Sequence, residues 1–260
     1  MPLKFRHWDD IALERAPVQE VICQVRFRPI LAIVEKPPTI YQDKLRRKFP
    51  GYKIRRGLNL EGLQPSSVVA ELTPNEYVFF TADETMETTL GLNFIALRTT
   101  AYSDWNAFRE TMGDVHKAFG SIYQEVDVTR IGLRFVNELT HDNTGTKSAH
   151  ELVSILNPEL GRLIENDAWT TALKSQVILS LDSDGAFLTL RSGFEAETSP
   201  RILLDFDYYA EGNPAQKLTP ARLLKTLNRY HNFIYDAFRW TLRENEISRF
   251  GPLQRKGDGK

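Results

Sequence analysis

Two stretches decide the fold of this sequence: "FRETMGDVHKAFGSIY" at residues 108–123 and "LLKTLNRYHNFIYDAF" at residues 223–238. They align without a gap, and the alignment places His116 on His231. In both stretches apolar residues recur at the spacing of one helix face, which predicts a long amphipathic helix in each. We therefore expect two long helices, one in each half of the chain.

The ends of both helices carry the usual boundary signals. The first helix is predicted over 103–123 with Ser103 as its N-cap, and the second over 219–246 with Thr219 as its N-cap. Pro220 follows the second cap and fits the first helical position, where a missing N–H costs nothing.

Alternating apolar and polar residues predict strands in the rest of the chain. The predicted strands lie at 20–28, 67–73, 76–82, 89–99, 129–137, 174–182, 186–192 and 201–212. Short turn sequences join most of them, which favours antiparallel pairing. The predicted fold class is α+β, with mostly antiparallel sheet and the two long helices packed on it.

The matched helices raise the question of an internal duplication. One interpretation is that residues 1–140 and 141–250 are two sheet-plus-helix halves packed on each other, followed by a disordered tail at 251–260. The other interpretation is that two amphipathic helices resemble each other by chance. The sequence alone leaves both open.

Composition excludes several classes of protein. The 33 Lys and Arg residues nearly balance the 34 Asp and Glu residues, so the net charge of −1 provides no global attraction to nucleic acid. A single cysteine, Cys23, excludes an internal disulfide and a zinc site built from several thiolates. Without a long apolar run or an apolar signal core we expect a cytoplasmic protein with no membrane contact, no cofactor and no metal.

One stretch departs from this balance: "KLRRKFPGYKIRRG" at residues 44–57 holds seven cations and no acid. The cations are Lys44, Arg46, Arg47, Lys48, Lys53, Arg55 and Arg56, and Phe49 and Tyr52 lie between them. Cations interleaved with aromatic rings are typical of nucleic-acid contacts. The alternative is a solvated helix and turn whose charge is balanced by acids from elsewhere, for example Glu84 and Glu87.

A second group of charges predicts contact between two strands. Arg130 and Arg134 share the polar face of one predicted strand, and Asp205 and Asp207 share the polar face of another. We expect a structural charge network across a sheet. The two carboxylates could instead form a metal or acid–base pair, but the further ligands of a metal site are missing from the sequence.

Histidines supply the best candidates for proton transfer, namely His116 and His231. Arg109 lies seven residues before His116, two helical turns away and on the same face. That spacing is similar to the Arg–His pair of the HEPN ribonucleases, which implies a metal-independent ribonuclease as one alternative. The HEPN fold is all-helical, whereas here strands flank the helix.

The order of several segments resembles a known family. These are "ERAPVQEVICQVRF", "LGLNFIALRTTAYSDWNAF", "RIGLRFVN", "LDFDYY" and "HNFIYDAFRWTLRENEISRFG". Together they resemble a sporadically distributed bacterial and archaeal family of about this length that has no assigned function. The resemblance implies one cooperative unit and carries no catalytic residues across.

These observations favour a non-catalytic binding or interaction protein whose ligand is nucleic acid or a partner protein. The last helix adds a further expectation, because apolar bulk surrounds much of its circumference. Its aromatic residues are Tyr230, Phe233, Tyr235, Phe238 and Trp240. Such a helix is buried in a core or in a subunit interface, so a homo-oligomer is one expected state.

Overall fold

The structure is a computed structural model that describes residues 4–58, 72–124, 126–166, 168–169, 171–196, 199–211 and 218–253. Nine strands of these residues form one antiparallel sheet, which confirms the predicted α+β class. The strands are β1 (Val18–Phe27), β2 (Gly51–Leu58), β3 (Leu72–Phe80), β4 (Met86–Gly91), β5 (Phe94–Thr99), β6 (Val128–Thr140), β7 (Lys174–Asp182), β8 (Ala186–Glu195) and β9 (Arg201–Glu211). Their order across the sheet is β2-β3-β4-β5-β1-β6-β9-β8-β7.

Helices connect these strands. They are α1 (Ala32–Glu35), α2 (Thr39–Leu45), α3 (Trp105–Tyr123), α4 (His141–Thr144), α5 (Ala149–Ser154), α6 (Pro158–Gly161) and α7 (Pro220–Thr241), followed by a 3-10 helix at Glu244–Phe250. The two longest, α3 and α7, hold 19 and 22 residues. Among the described residues no helix combines the length and the apolar character needed to cross a membrane.

Strand alternation sorts the side chains onto two faces of the sheet. On β1 the odd-numbered residues from Val21 to Phe27 are buried, and Phe27 packs on Phe119 of α3 with ring centroids 4.7 Å apart. On β9 the buried Phe206 meets Phe238 of α7 at 6.4 Å. Both long helices therefore cover the same face, and the core lies between them and the sheet. The opposite face carries most of the charged strand residues, and we call it the polar face.

The helices α3 and α7 pack against each other in opposite directions. Trp105 at the start of α3 donates a hydrogen bond from Nε1 to Oδ1 of Asn228, at 2.8 Å. Further along α3, a Cβ added to Gly113 would lie 3.3 Å from Cδ2 of Leu224. Residue numbers thus rise on one helix while they fall on the other. Gly113 allows the close approach because it has no side chain at the crossing.

The strand order of the sheet is symmetric about its central pair, apart from β2 at one edge. β1 and β6 pair there, with β5, β4 and β3 outward on one side and β9, β8 and β7 outward on the other. Along the chain, β1 is followed by short helices, strands and α3, and β6 is followed by short helices, strands and α7. The strand β2 has no counterpart and lies at the outer edge beside β3.

The sequence predictions failed most between residues 50 and 100. The predicted turn at 73–77 lies inside β3, where the irregular register between Arg56 and Leu58 of β2 accommodates Pro74. The predicted strand at 89–99 is instead the hairpin of β4 and β5, closed by Leu92 and Asn93. Most of the strand predicted at 67–73 lies outside the described residues, as do 254–260 of the predicted disordered tail.

The starts of both long helices and the end of α3 are close to those predicted, but α7 ends at Thr241 rather than at residue 246, and a separate 3-10 helix follows. Asp104, rather than Ser103, caps α3 and accepts a hydrogen bond from the Ala107 amide at 2.9 Å. Thr219 caps α7 as predicted and accepts from the Arg222 amide at 3.3 Å. The Asp104 carboxylate is a stronger acceptor than the Ser103 hydroxyl, and its negative charge complements the positive end of the α3 dipole.

Candidate functional site

The basic cluster of the sequence is divided by the fold. Lys53 and Arg55 lie on β2 with their side chains on the polar face, and both form ion pairs with Glu87 of β4, at 3.5 and 3.0 Å. Arg46 forms an ion pair with Asp43 on its own helix, at 3.5 Å. The side chain of Arg56 lies outside the described residues. The three described cations of this half, Arg46, Lys53 and Arg55, are thus paired with acids of the same chain.

The remaining cations of the cluster line a groove, and one lysine of α3 lines it with them. Lys44, Arg47 and Lys48 line it from α2 and the turn that follows, and Lys117 lines it from α3. Asp114 is the one acid among its described lining residues, and it lies 3.8 Å from Lys117 Nζ. The groove has a volume of about 410 Å³. We call it the basic groove.

The two aromatic rings of the cluster differ in accessibility. Phe49 is buried, with 1% of its surface exposed, so its ring is unavailable for stacking on a base. Tyr52 is 41% exposed, and its ring packs on Phe79 at 5.5 Å. Cations, not rings, therefore dominate the described surface around the basic groove.

The predicted charge network lies on the polar face across β6, β9 and β8. Arg134 donates from Nε and Nη2 to the two carboxylate oxygens of Asp205, at 2.7 and 2.8 Å. Arg191, which the sequence reasoning did not name, donates to Asp205 Oδ2 at 3.1 Å. Arg130 lies 3.4 Å from Asp207. Hydrogen bonding to Asp205 raises the pKa of Arg134 further.

This geometry is that of a structural network. Asp205 is 2% exposed and is held by two guanidinium groups, which compensate for the burial of its charge. No group of three or more His, Cys, Asp or Glu side chains among the described residues is arranged to hold a metal ion. The partners of the two carboxylates in this geometry are arginine side chains.

His116 lies in a cavity at one end of the α3–α7 pair. The cavity has a volume of about 230 Å³ and is closed by Leu218, Thr219 and Pro220 at the start of α7. Nδ1 of His116 is buried and has no hydrogen-bond partner among the described residues. Burial lowers the pKa of His116, so the ring is neutral near pH 7. We call this space the His116 cavity.

His231 lies in a second cavity at the other end of the pair. This cavity, of about 140 Å³, is bounded by Trp105 at the start of α3 and by the N-terminal segment around Asp10. The ring of His231 stacks on Trp105 with centroids 4.3 Å apart. Its Nε2 is 3.9 Å from Oδ2 of Asp10. Burial lowers the pKa of His231, and the negative charge of Asp10 opposes that shift. We call this space the His231 cavity.

The contacts do not bring Arg109 and His116 together. Arg109 donates from Nη1 to Asn228 Oδ1 at 3.1 Å, and the same oxygen accepts from Trp105. Arg109 is thereby tied to the end of the helix pair that carries His231. His116 faces the start of α7 at the other end.

Several residues of these sites were missed by sequence reasoning. Lys117 reaches the basic groove from about 70 positions further along the chain, and Asp10 reaches the His231 cavity from an N-terminal segment without periodicity. Trp105 did carry a signal, since it is one of the apolar residues at helical spacing in the helix predicted over 103–123. Cys23 is fully buried, and burial raises the pKa of its thiol to about 12.

Comparisons with known proteins add no relative to this picture. A scan against protein-family models found no match, and a search of curated proteins found no significant match.

Proposed function

We propose that the chain is a binding protein without a catalytic role and that its basic groove takes the phosphate backbone of a nucleic acid. The observation that supports this most is the convergence of Lys44, Arg47, Lys48 and Lys117 on one groove with a single acid. Lys44 and Arg47 have no ion-pair partner among the described residues. Phosphate contacts of this kind supply most of sequence-independent affinity.

Packing against the core and against α3 holds the cations of the basic groove in place, which distinguishes them from those of a freely solvated helix. Lys44 lies on the exposed side of α2 and Arg47 in the turn that follows it, while the buried Tyr41 and Leu45 anchor the helix to the core. Lys48 is hydrogen-bonded through Nζ to Thr111 of α3. The cations are thus displayed on two packed helices, which reduces the entropy lost when a ligand binds.

Binding to duplex DNA and single-stranded RNA at increasing salt tests the proposal. We expect the logarithm of the affinity to fall linearly with the logarithm of salt, by about 0.9 per phosphate contacted on duplex DNA. Replacing Lys44, Arg47 and Lys117 with alanine should flatten that slope. The matched control is Lys53→Ala with Arg55→Ala, which removes cations of the same sequence cluster that are paired with Glu87.

The outcomes separate the ligand classes. A flattened slope in the triple variant together with an unchanged control supports the proposal. Equal losses in both variants, or no binding at low salt, would contradict it. Binding of an acidic protein instead of nucleic acid would point to the partner-protein alternative.

We also propose a homo-oligomer and a cytoplasmic location; the single buried cysteine supports the cytoplasmic location.

The ribonuclease alternative has no supporting contact. It requires Arg109 and His116 at one phosphodiester, whereas Arg109 is hydrogen-bonded to Asn228. Incubation with labelled RNA, with and without Mg²⁺, addresses it directly. Cleavage that is lost in His116→Ala while the variant stays folded would favour the enzyme over the binding protein.

We also propose that the chain contains a duplicated unit. Two observations support it: the sheet order is even about β1 and β6, and the N-caps Asp104 and Thr219 are 115 positions apart, as are His116 and His231. On this proposal the halves meet between α3 and β6 rather than at residue 140. Sequence profiles built separately from each half across relatives should detect the other half; failure in both directions would favour chance similarity.

A further inference from the structure

The His231 cavity differs from ordinary packing defects in its lining. Five aromatic side chains surround it: Tyr102, Trp105, Phe135, Tyr235 and Phe238. The charged side chains among its described lining residues, other than His231, are the carboxylates of Asp10 and Asp104. The volume of about 140 Å³ is comparable to that of an engineered cavity that binds benzene.

The two carboxylates lie at different places in this lining. Asp10 is 46% exposed, so it lies where the cavity meets solvent. Tyr102 responds to both acids, because burial first and then the charges of Asp10 and Asp104 raise the pKa of its hydroxyl. His231 adds no positive charge near pH 7, because burial lowers its pKa. Among the described lining residues, the acids are therefore the charged ones at this pH, and most of the remaining lining is apolar.

The segment that contributes Asp10 is fixed to α7 and is part of the folded structure. Phe5 packs on Phe233 with ring centroids 5.5 Å apart. The Trp8 amide donates to Oδ1 of Asp236 at 2.8 Å, and Arg239 lies 4.0 Å above the Trp8 ring. After Asp10, the Ala12 carbonyl accepts from the Leu253 amide at 2.8 Å. The position of Asp10 is thus held by neighbours on both sides, which pre-organises the cavity for a ligand.

We propose that the His231 cavity binds a small organic cation, a protonated amine or quaternary ammonium attached to one ring or a short alkyl group. Aromatic rings attract cations through the negative charge on their faces, and the effect grows when water is excluded. The carboxylate of Asp10 provides the opposite charge at the opening. Nε2 of His231 lies 3.9 Å from Oδ2 of Asp10, so both groups border the space that the cation would occupy. This site is separate from the basic groove and does not rest on its proposed role.

The His116 cavity serves as the internal comparison. It too lies between a buried histidine and the start of the opposite helix, but among its described lining residues Lys117 is the charged one, since His116 is neutral near pH 7. Its rings are Phe27 and Phe119, and Pro220 stands at the helix position that Trp105 holds in the other cavity. A cation is expected to avoid it.

Calorimetric titration with three ligands of similar size tests the proposal: benzylammonium, benzyl alcohol and benzoate. At pH 7.5 we expect benzylammonium to bind about tenfold more tightly than benzyl alcohol, and benzoate to bind most weakly. Asp10→Asn should weaken benzylammonium about tenfold and leave benzyl alcohol unchanged. Its side chain is partly exposed, so the variant should fold, which a urea melt verifies. Asp182→Asn, which neutralises an exposed acid on β7 outside both cavities, is the matched control and should leave the benzylammonium affinity unchanged.

Three results would overturn the proposal. Benzyl alcohol or benzoate binding as tightly as benzylammonium would show that charge is not recognised. An unchanged benzylammonium affinity in Asp10→Asn would place the cation elsewhere. The absence of saturable benzylammonium binding to the wild-type protein would show that the cavity takes no such ligand. None of these results bears on nucleic-acid binding, which the salt titrations test separately.

Discussion

Both long helices carry a buried histidine twelve positions after the N-cap, at 116 after 104 and at 231 after 219, and each histidine faces the start of the other helix. The two cavities formed in this way differ in charge. Asp10 and Asp104 line the His231 cavity, whereas Lys117 lines the His116 cavity. The difference shows that one backbone arrangement can hold opposite charges, depending on the side chains around it.

The largest expected effect comes from the residues at the start of each helix. Trp105 is buried and stacked on His231, so Trp105→Ala should lower the free energy of unfolding by about 3–5 kcal/mol. Pro220, the residue at the corresponding helix position, is exposed, and Pro220→Ala should cost about 1 kcal/mol or less. Urea melts of both variants measure this. Equal losses would mean that the two cavities are energetically alike.

A smaller difference is expected where the helices cross. Asn228→Leu removes the acceptor shared by Trp105 and Arg109 and should cost about 1–3 kcal/mol, because two partly buried donors lose their partner. Gly113→Ala is the matched change at the opposite contact. There the added Cβ would lie 3.3 Å from a movable Leu224 methyl, and the gain in helix propensity of about 1 kcal/mol offsets the crowding. A Gly113→Ala loss larger than that of Asn228→Leu would reverse this ranking.

The smallest expected difference concerns pH. Burial lowers the pKa of both histidines below the ordinary value of 6.5, so the unfolded chain takes up protons first and stability falls as the pH drops below that value. His116→Leu and His231→Leu should each reduce this loss. The reduction should be smaller for His231, since Asp10 opposes the shift there. Urea melts between pH 7.5 and pH 5 measure both slopes; stability that rises on acidification would contradict the argument.

Local pattern accounts for the parts of this fold that were predicted. The helices α3 and α7 and the strands β6 to β9 follow from apolar spacing, because each buries one face against a neighbour. The strand predicted at 76–82 matches only the later part of β3, because Pro74 signals a turn, whereas residues 73–77 lie within the strand beside the irregular pairing of β2. The hairpin of β4 and β5 was missed because its turn at Leu92 and Asn93 contains an apolar residue, so the sequence reads as one continuous strand.

The sites depend on contacts that no local pattern reveals. The sequence shows Lys53 and Arg55 beside Lys44 and Arg47, but the chain turns between them and places the first pair next to Glu87. Likewise, His231 was recognised as a candidate by residue type, whereas its neighbour Asp10 lies more than 200 positions earlier in the chain. Long-range pairing of this kind is decided by sheet topology and helix packing.

One measurement tests the contrast between the two cavities most directly: a crystal structure of the protein grown or soaked with benzylammonium. We predict density for the cation in the His231 cavity, with its ammonium group within hydrogen-bonding distance of Asp10, and none in the His116 cavity. Density in the His116 cavity instead, or a cation placed away from Asp10, would contradict the account.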